Sequence, residues 1–260
     1  MTRSTEINFS VFLFKGGNKL IGIDISEHNG NINFTEVIKN VDFAIIRIGY
    51  GVSYLPDKQK DKFFERNYAG LHGKIPIGIY YYSYAKKPGD GTKEAKNCLL
   101  YLMGKHLDLP IFYDVEDDSM GSVNEVTREF VDFIKKSGYQ AGVYSYKYWC
   151  DSKKLDLSKF NDCMKWVAAY GNNTGSISGS RPAGAEIWQY TSRGRIAGIN
   201  GNVDMNTTDK TFYLEGAKMA YYDEAWKKAK EMCIVDSSLP TEKPDKGWII
   251  YILYKVGLIK

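Results

Sequence analysis

Residues that hold metals or form disulfides are scarce in this sequence. The chain has 260 residues but only 4 cysteines and 3 histidines. These residues are Cys98, Cys150, Cys163, Cys233, His28, His72 and His106. The cysteines show no C-x-x-C spacing and the histidines form neither an H-x-H nor an H-E-x-x-H pair, which argues against a zinc site and against metal-dependent hydrolysis. We therefore expect free, mostly buried thiols, no metal and no cofactor.

Long apolar runs and long basic runs are also missing. No stretch reaches the roughly 20 apolar residues that a membrane span needs, and the N-terminal patch F-S-V-F-L-F is too short for a secretory signal. The 35 Lys and Arg residues outnumber the 31 Asp and Glu residues by a formal charge of +4, and no run concentrates that charge. These absences predict no membrane span, no standard signal peptide and no nucleic-acid partner.

Aromatic residues, in contrast, are abundant, and short β-type runs recur along the chain. The sequence contains 20 Tyr, 12 Phe and 5 Trp, and its 43% hydrophobic content indicates a folded globular protein. Several runs are apolar on both faces, as expected for a parallel sheet that is covered on both sides. The eight predicted strands are 20–26, 41–50, 75–84, 109–116, 141–146, 165–170, 186–192 and 202–206.

Helical patterns lie between the early strands and fade after about residue 160. They cover 34–41, 58–73, 90–106 and 122–138, and in the last of these Ser122 and Glu125 have the spacing of a capping box. The later connections are rich in Gly and Ser. This order predicts the α/β class and an irregular, TIM-like (β/α) barrel with eight strands and few helices in its last third.

The ends of the chain differ in character from this barrel. We assign residues 20–211 to the barrel and residues 1–19 to an N-terminal extension. Residues 212–260 contain two amphipathic patterns and predict a small C-terminal helical appendage. That appendage either packs on the barrel or serves as a wall-binding or dimerising module, and the oligomeric state stays open.

Two carboxylates end the fourth predicted strand, in the segment D-V-E. Residues two apart in a strand point to the same side, about 6.6 Å apart, so Asp114 and Glu116 share a face. Chemistry in barrels of this kind lies at the carboxyl ends of the strands, and acids there are costly to bury unless they are used or paired. The structural alternative is an ion pair or a cap for the following turn.

Acids at other strand ends favour a functional cluster. Asp24 ends the first run and Asp204 lies in the last, and these strands are neighbours in a closed barrel. Arg47 supplies an opposite charge that lowers one pKa while crowding raises another. Carboxyl groups with separated pKa values are suited to breaking a glycosidic bond. Aromatic rings at the ends of the second, third and seventh strands would then bind sugars, or else pack in the core.

Several motifs together resemble a known family. They read G-I-D-I-S-E-H-N-G, A-I-I-R-I-G-Y-G, P-I-G-I-Y-Y-Y-S-Y-A, P-I-F-Y-D-V-E-D and E-I-W-Q-Y-T-S, followed by G-N-V-D-M-N. Over about residues 20–210 the chain resembles the family 25 glycoside hydrolases, the bacterial and phage N-acetylmuramidases or lysozymes. The resemblance implies hydrolysis of the β-1,4 bond between N-acetylmuramic acid and N-acetylglucosamine in bacterial peptidoglycan. It also implies action at the cell wall. Because no standard signal peptide is recognisable, we expect release by lysis, a holin or another non-standard route.

The resemblance also implies roles for individual residues. Glu116 matches the general acid and Asp114 its partner carboxylate, while Asp24 and Asp204 match aspartates that line the floor of the sugar-binding subsite. Either the substrate's acetamido group attacks, with Asp114 orienting it, or Asp24 or Asp204 activates a water; the closeness of Asp114 to Glu116 favours the first route. The substrate-binding residues expected are Arg47, Tyr50, Tyr81, Tyr82, Trp188, Gln189 and Tyr190.

Two other functions agree less well with these residues. A chitinase-like hydrolase of N-acetylglucosamine polymers would carry a longer D-x-x-D-x-D-x-E run, and the residues before Asp114 lack those acids. A catalytically silent peptidoglycan-binding barrel would have lost Glu116 or its partners, all of which are present.

Overall fold

A computed structural model describes residues 19–52 and 58–210 of the chain. The strands are β1 (Leu20–Ile25), β2 (Phe43–Tyr50), β3 (Ile77–Tyr82), β4 (Ile111–Asp114), β5 (Ala141–Tyr146), β6 (Met164–Ala168), β7 (Ile187–Gly194) and β8 (Val203–Thr208). The helices are α1 (Phe34–Val37), α2 (Phe64–Leu71), α3 (Asp90–Leu102), α4 (Val123–Lys136) and α5 (Lys147–Asp151). All eight predicted strands are therefore confirmed.

The strands close into one barrel in the order β1 to β8. Neighbours from β1 to β7 run parallel, whereas β8 runs antiparallel to both β7 and β1. The segment 195–202 between β7 and β8 is too short for the crossover of a dozen or more residues that a parallel connection needs. The predicted irregular α/β barrel is confirmed, and the reversal of β8 brings its start to the rim where the other strands end.

Alternation along the strands produces two separate cores. One fills the barrel and includes Phe43, Phe112 and Trp166, with the last two rings in edge contact at 5.3 Å. The other lies between the strands and the surrounding helices, where Tyr113 stacks on Phe130 of α4 at 4.0 Å. Because neighbouring residues face opposite sides, each strand contributes to both cores, which explains the long apolar runs in the sequence.

The predicted capping box at the start of α4 is wrong. Ser122 has a left-handed backbone, with φ of 45°, and its side chain makes no capping hydrogen bond. The amide of Glu125 donates instead to the backbone carbonyl of Ser122, at 2.9 Å. A capping box does occur at Ser26, whose hydroxyl accepts from His28 while Asn29 accepts from the Ser26 amide. This box closes a short 3-10 turn, Glu27–Asn29, directly after β1.

The remaining predictions concern cysteines, membrane spans and chain ends. Cys98, Cys150 and Cys163 are free thiols, as expected, whereas Cys233 lies outside the described residues. Within residues 19–52 and 58–210, no helix has both the length and the apolar character needed to cross a bilayer. The predicted appendage at 212–260 and nearly all of the predicted extension at 1–19 also lie outside the described residues.

Candidate active site

A cleft of about 700 Å³ opens at the rim formed by the carboxyl ends of β1 to β7. Its acidic lining consists of Asp24, Glu27, Asp114, Glu116 and Asp204. Its aromatic lining consists of Tyr50, Tyr80, Tyr82, Tyr84, Tyr144, Tyr146, Trp166 and Tyr170. Polar groups thus lie at the bottom of a groove with aromatic walls, an arrangement suited to a sugar ring, whose edges are polar and whose faces are partly apolar.

The four predicted catalytic carboxylates come together in this cleft. Asp114 ends β4 and Glu116 lies two residues beyond it, while Asp24 of β1 is paired directly with Asp204 of β8. Asp204 reaches this rim only because β8 is reversed. In the part of the chain that the structure describes, no group of three or more His, Cys, Asp or Glu side chains is arranged to hold a metal ion.

Asp24 is held by two side-chain amides. Its Oδ2 accepts from Gln189 Nε2 and from Asn206 Nδ2, each at 2.8 Å. The indole of Trp166, which can only donate, binds Asn206 Oδ1 at 2.7 Å and so fixes the orientation of that amide. Burial raises the pKa of Asp24 to about 6, and the two amide hydrogen bonds oppose a larger rise. Asp24 is therefore the most readily ionised of the four acids.

Glu116 lies against two tyrosine hydroxyls, those of Tyr144 and Tyr146. Burial raises its pKa from 4.5 to about 7, while the hydrogen bond with Tyr146 acts in the opposite direction. The Tyr144 hydroxyl hydrogen is already donated to Gln189 Oε1, at 2.8 Å. The hydrogen bond with Tyr144 also lowers the pKa of Glu116, but burial is the larger effect and keeps this pKa raised. The site thus favours a carboxylic acid at this position near neutral pH.

Asp204 and Asp114 are disfavoured as anions. Burial, followed by the charges of Asp24 and Glu116, raises the pKa of Asp204 to about 8. Asp114 is only 4% exposed, and burial together with the Glu116 and Asp24 charges raises its pKa well above 3.8. Its Oδ1 has no hydrogen-bond partner among the described residues. A buried oxygen without a partner is costly, so this atom is available to a donor on a bound molecule.

Arg47 lowers the pKa of Asp114, as expected, but its ion-pair partners are different acids. Its Nε donates to Asp61 Oδ2 at 2.7 Å and its Nη2 to Glu27 Oε1 at 2.9 Å. Asp61 also accepts from the backbone amides of Glu27 and Phe63. The guanidinium lies 5.5 Å from the ring centre of Tyr50. Sequence reasoning missed Glu27 and Asp61 because a loop acid carries no signal of the basic residue it will meet.

Of the predicted aromatic residues, Tyr50 and Tyr82 line the cleft. Tyr84, which belongs to the same aromatic motif as Tyr82 but was not among the named binding residues, joins them: its ring lies 6.4 Å from Tyr50 and 5.1 Å from Tyr82. Gln189 lines the cleft as predicted, and both Tyr144 and Tyr170 donate to it at 2.8 Å. Sequence reasoning missed Asn206 as well, although its spacing of two residues from Asp204 places both on one face of the last strand.

Three predicted binding residues do not reach the cleft. Tyr81 is fully buried on the helix side of the barrel, where its hydroxyl donates to the Gly51 carbonyl at 2.7 Å. Trp188 donates to the Ala169 carbonyl at 2.9 Å. Like Tyr81, both Trp188 and Tyr190 pack in the outer core, which lies between the strands and the surrounding helices. The period of two along a strand is the cause: facing Tyr82 and Gln189 into the cleft turns their neighbours outward. The assignments of Tyr81, Trp188 and Tyr190 to substrate binding are therefore corrected.

Residues 23–199 match the family model described as glycosyl hydrolases family 25. Among curated relatives, Lysozyme M1 of Streptomyces globisporus is 26% identical over 204 residues, which cover 71% of this chain and 66% of the relative.

Two solved structures share the fold. The catalytic domain of endolysin ply40, from bacteriophage P40 of Listeria monocytogenes, aligns with a TM-score of 0.65 at 25% identity, covering 79% of this chain and 97% of that one. The modular autolysin LytC from Streptococcus pneumoniae aligns with a TM-score of 0.62 at 30% identity, covering 73% of this chain and 46% of that one.

Proposed function

Because the chain belongs to the glycosyl hydrolases family 25, we propose that it is an N-acetylmuramidase that cleaves the β-1,4 bond between N-acetylmuramic acid and N-acetylglucosamine in bacterial peptidoglycan. Membership of the family makes it a glycoside hydrolase. Its likeness to a lysozyme, an endolysin and an autolysin supports peptidoglycan as the substrate.

The observation that carries the proposal is the environment of Glu116. A general acid must hold its proton at working pH and release it to the departing oxygen. Burial brings the pKa of Glu116 to about 7, and the hydroxyls of Tyr144 and Tyr146 hold the side chain in place. Asp24, held by two amide donors, is the carboxyl best able to remain an anion beside it. Separated protonation within one carboxyl cluster is what glycosidic cleavage requires.

In the proposed reaction the acetamido oxygen of N-acetylmuramic acid attacks the anomeric carbon. Glu116 gives its proton to the glycosidic oxygen, so the bond to the next sugar breaks and that sugar leaves as an alcohol. Asp114 accepts the acetamide N–H through its unpartnered Oδ1 and so orients the acetamide oxygen towards the anomeric carbon, where a cyclic oxazolinium ion forms. Water then opens this ion at the anomeric carbon and returns a proton to Glu116. The configuration of the sugar is retained.

Asp24 and Asp204 form the opposite side of the site in this proposal. Both face the anomeric centre from β1 and β8, where an anionic Asp24 would stabilise positive charge on the ring. The competing route, in which one of these acids activates a water on the far face of the sugar, produces inversion. Proton NMR of the first anomer released distinguishes the two routes, because only retention gives the β-anomer first.

The test of the function is mass spectrometry of muropeptides after digestion of purified peptidoglycan and reduction with borohydride. We expect new reduced muramic acid ends with the wild type. Reduced glucosamine ends would make the enzyme a glucosaminidase, and a folded wild-type protein that produces no new ends would refute the proposal.

Two variants make this assay specific to the site. Glu116→Gln keeps the size of the side chain but removes the acid, and a loss of at least about 10²-fold is expected. Asp118→Asn is the matched control, because Asp118 is an exposed acid two residues away whose carboxylate pairs with Lys154 outside the cleft. Near wild-type lysis by folded Glu116→Gln would overturn the assignment of the general acid.

We also propose that residues 20–211 form the catalytic unit and that residues 1–19 and 212–260 are accessory to it. The extent of the family match, 23–199, supports this division. Limited proteolysis should leave a barrel fragment that still releases muramic acid ends. Loss of wall binding together with residues 212–260 would identify them as a wall-binding module, and a change in mass by light scattering would identify them as a dimerising one.

A further inference from the structure

Tyr148 lies just outside the cleft and has no assigned role. It belongs to α5, which begins directly after β5 at the same rim as the catalytic carboxylates. Its side chain is 60% exposed, the highest value among the exposed large hydrophobic residues of the described chain. A single exposed aromatic residue needs no explanation by itself. Its position and its contacts set this one apart.

The ring of Tyr148 is held in place without being buried. Its hydroxyl accepts a hydrogen bond from the indole of Trp149 at 2.6 Å, and Trp149 is fully buried. The ring lies nearly parallel to that of Tyr146, with an interplanar angle of 20° and a centroid distance of 5.9 Å. A side chain already fixed in one orientation loses little conformational entropy when a ligand binds.

Tyr146 connects this ring to the site of cleavage. The Tyr146 hydroxyl hydrogen-bonds to Glu116, and its ring lines the cleft. The Tyr146 ring therefore lies between the proposed acid, Glu116, and the Tyr148 ring, and the two aromatic rings form a wall that extends outward from Glu116 along one side of the cleft. A glycan that extends from Glu116 along the Tyr146 ring would place its next sugar unit against Tyr148.

The charges around Tyr148 are already paired. Lys147 forms an ion pair with Asp151, and Lys154 forms one with Asp118 while its ammonium lies over the Trp149 ring at 3.4 Å. A phosphate or a free carboxylate would find no unpaired cation among these residues. An open aromatic face without free charge suits the apolar C–H face of a neutral sugar.

We propose that Tyr148 forms an outer sugar subsite that stacks on a neutral N-acetylhexosamine unit beyond the scissile bond, so that the enzyme prefers long glycan strands. This inference rests on the proposed muramidase function and specifies the length of its substrate.

The test compares two substrates. One is a preparation of long glycan strands freed of their peptide stems, and the other is a short oligosaccharide that spans only the scissile bond and its nearest sugars. Tyr148→Ala should raise KM for the long strands about three- to tenfold with kcat unchanged, the loss expected for one stacking contact that is equally strong in ground and transition states. The short oligosaccharide should be cleaved equally by wild type and variant.

Further variants separate stacking from folding. Tyr148→Trp retains a flat ring and should keep the wild-type KM, while Ile177→Ala removes an exposed apolar side chain elsewhere and should change nothing. An unchanged KM for long strands in folded Tyr148→Ala would overturn the subsite. Equal losses on both substrates would mean that Tyr148 acts by positioning Tyr146. Long strands that keep their peptide stems serve as a third substrate, and a loss seen only with these would mean a peptide contact. Both results reject the sugar subsite. A wild type that cleaves neither substrate would refute the proposed function itself, and the subsite with it.

Discussion

Removing one hydroxyl next to Glu116 should shift the pH range of the enzyme. As a general acid, Glu116 must be protonated. In a plot of kcat/KM against pH, its pKa of about 7 therefore sets the pH above which activity falls, the alkaline limb of the profile. The Tyr146 hydroxyl stabilises the ionised form of Glu116 and holds this pKa down. A hydrogen bond to a charged group contributes about 1.5 kcal/mol, which corresponds to about one pKa unit. Tyr146→Phe should therefore move the alkaline limb upward, from about pH 7 to about pH 8.

The assay is the initial rate of muropeptide release at substrate concentrations well below KM, measured across the pH range. Tyr190→Phe is the matched control, because it removes a tyrosine hydroxyl in the outer core, away from the cleft. It should leave the limb where it is in the wild type. If the alkaline limb of the Tyr146→Phe profile stays in place or moves to lower pH, the reasoning about Glu116 is refuted. An equal shift of the limb in the Tyr190→Phe control would refute it as well.

Two further predictions concern acids on either side of β4. Asp114→Asn should lower kcat about 10²- to 10³-fold with little change in KM on the same walls, and an unaltered kcat would exclude Asp114 from orienting the acetamide. Glu94 of α3 is fully buried and accepts from the Tyr113 hydroxyl at 2.5 Å and the Tyr84 amide at 2.9 Å. Burial raises the pKa of Glu94 from 4.5 to about 7. Between these two pH values the folded protein keeps a proton that the unfolded chain has lost, so the free energy of unfolding falls as pH rises, by at most about 3 kcal/mol. Glu94→Gln should lack this loss, and thermal-unfolding midpoints that fall equally with pH in both proteins would contradict it.

The features predictable from the sequence are those that depend on near neighbours in the chain. Each strand appears as a run of β-branched and aromatic residues, and each early helix as a periodic pattern between two such runs. The pair Asp114 and Glu116 is visible for the same reason, since a spacing of two residues is enough to place both on one face. Membership of the family was recognisable because its motifs sit at these strand ends.

Features that need a partner from elsewhere in the chain were missed or misjudged. The inward direction of each strand depends on how the barrel closes, so Tyr82 and Tyr81, or Gln189 and Trp188, were equally good candidates before the fold was known. Asp61 gives no local sign that it will bind Arg47.

The sequence by itself determined the kinds of elements, their order and the acids that end them, because these follow from local periodicity and composition. Only the tertiary structure decided what those acids became. The short link before β8 reversed that strand and brought Asp204 against Asp24, and closure of the barrel buried Asp24 and Asp114 and half-buried Asp204 and Glu116. Burial then raised all four pKa values, and the charges of neighbouring acids raised those of Asp114, Glu116 and Asp204 further; neither effect exists until distant parts of the chain are packed together.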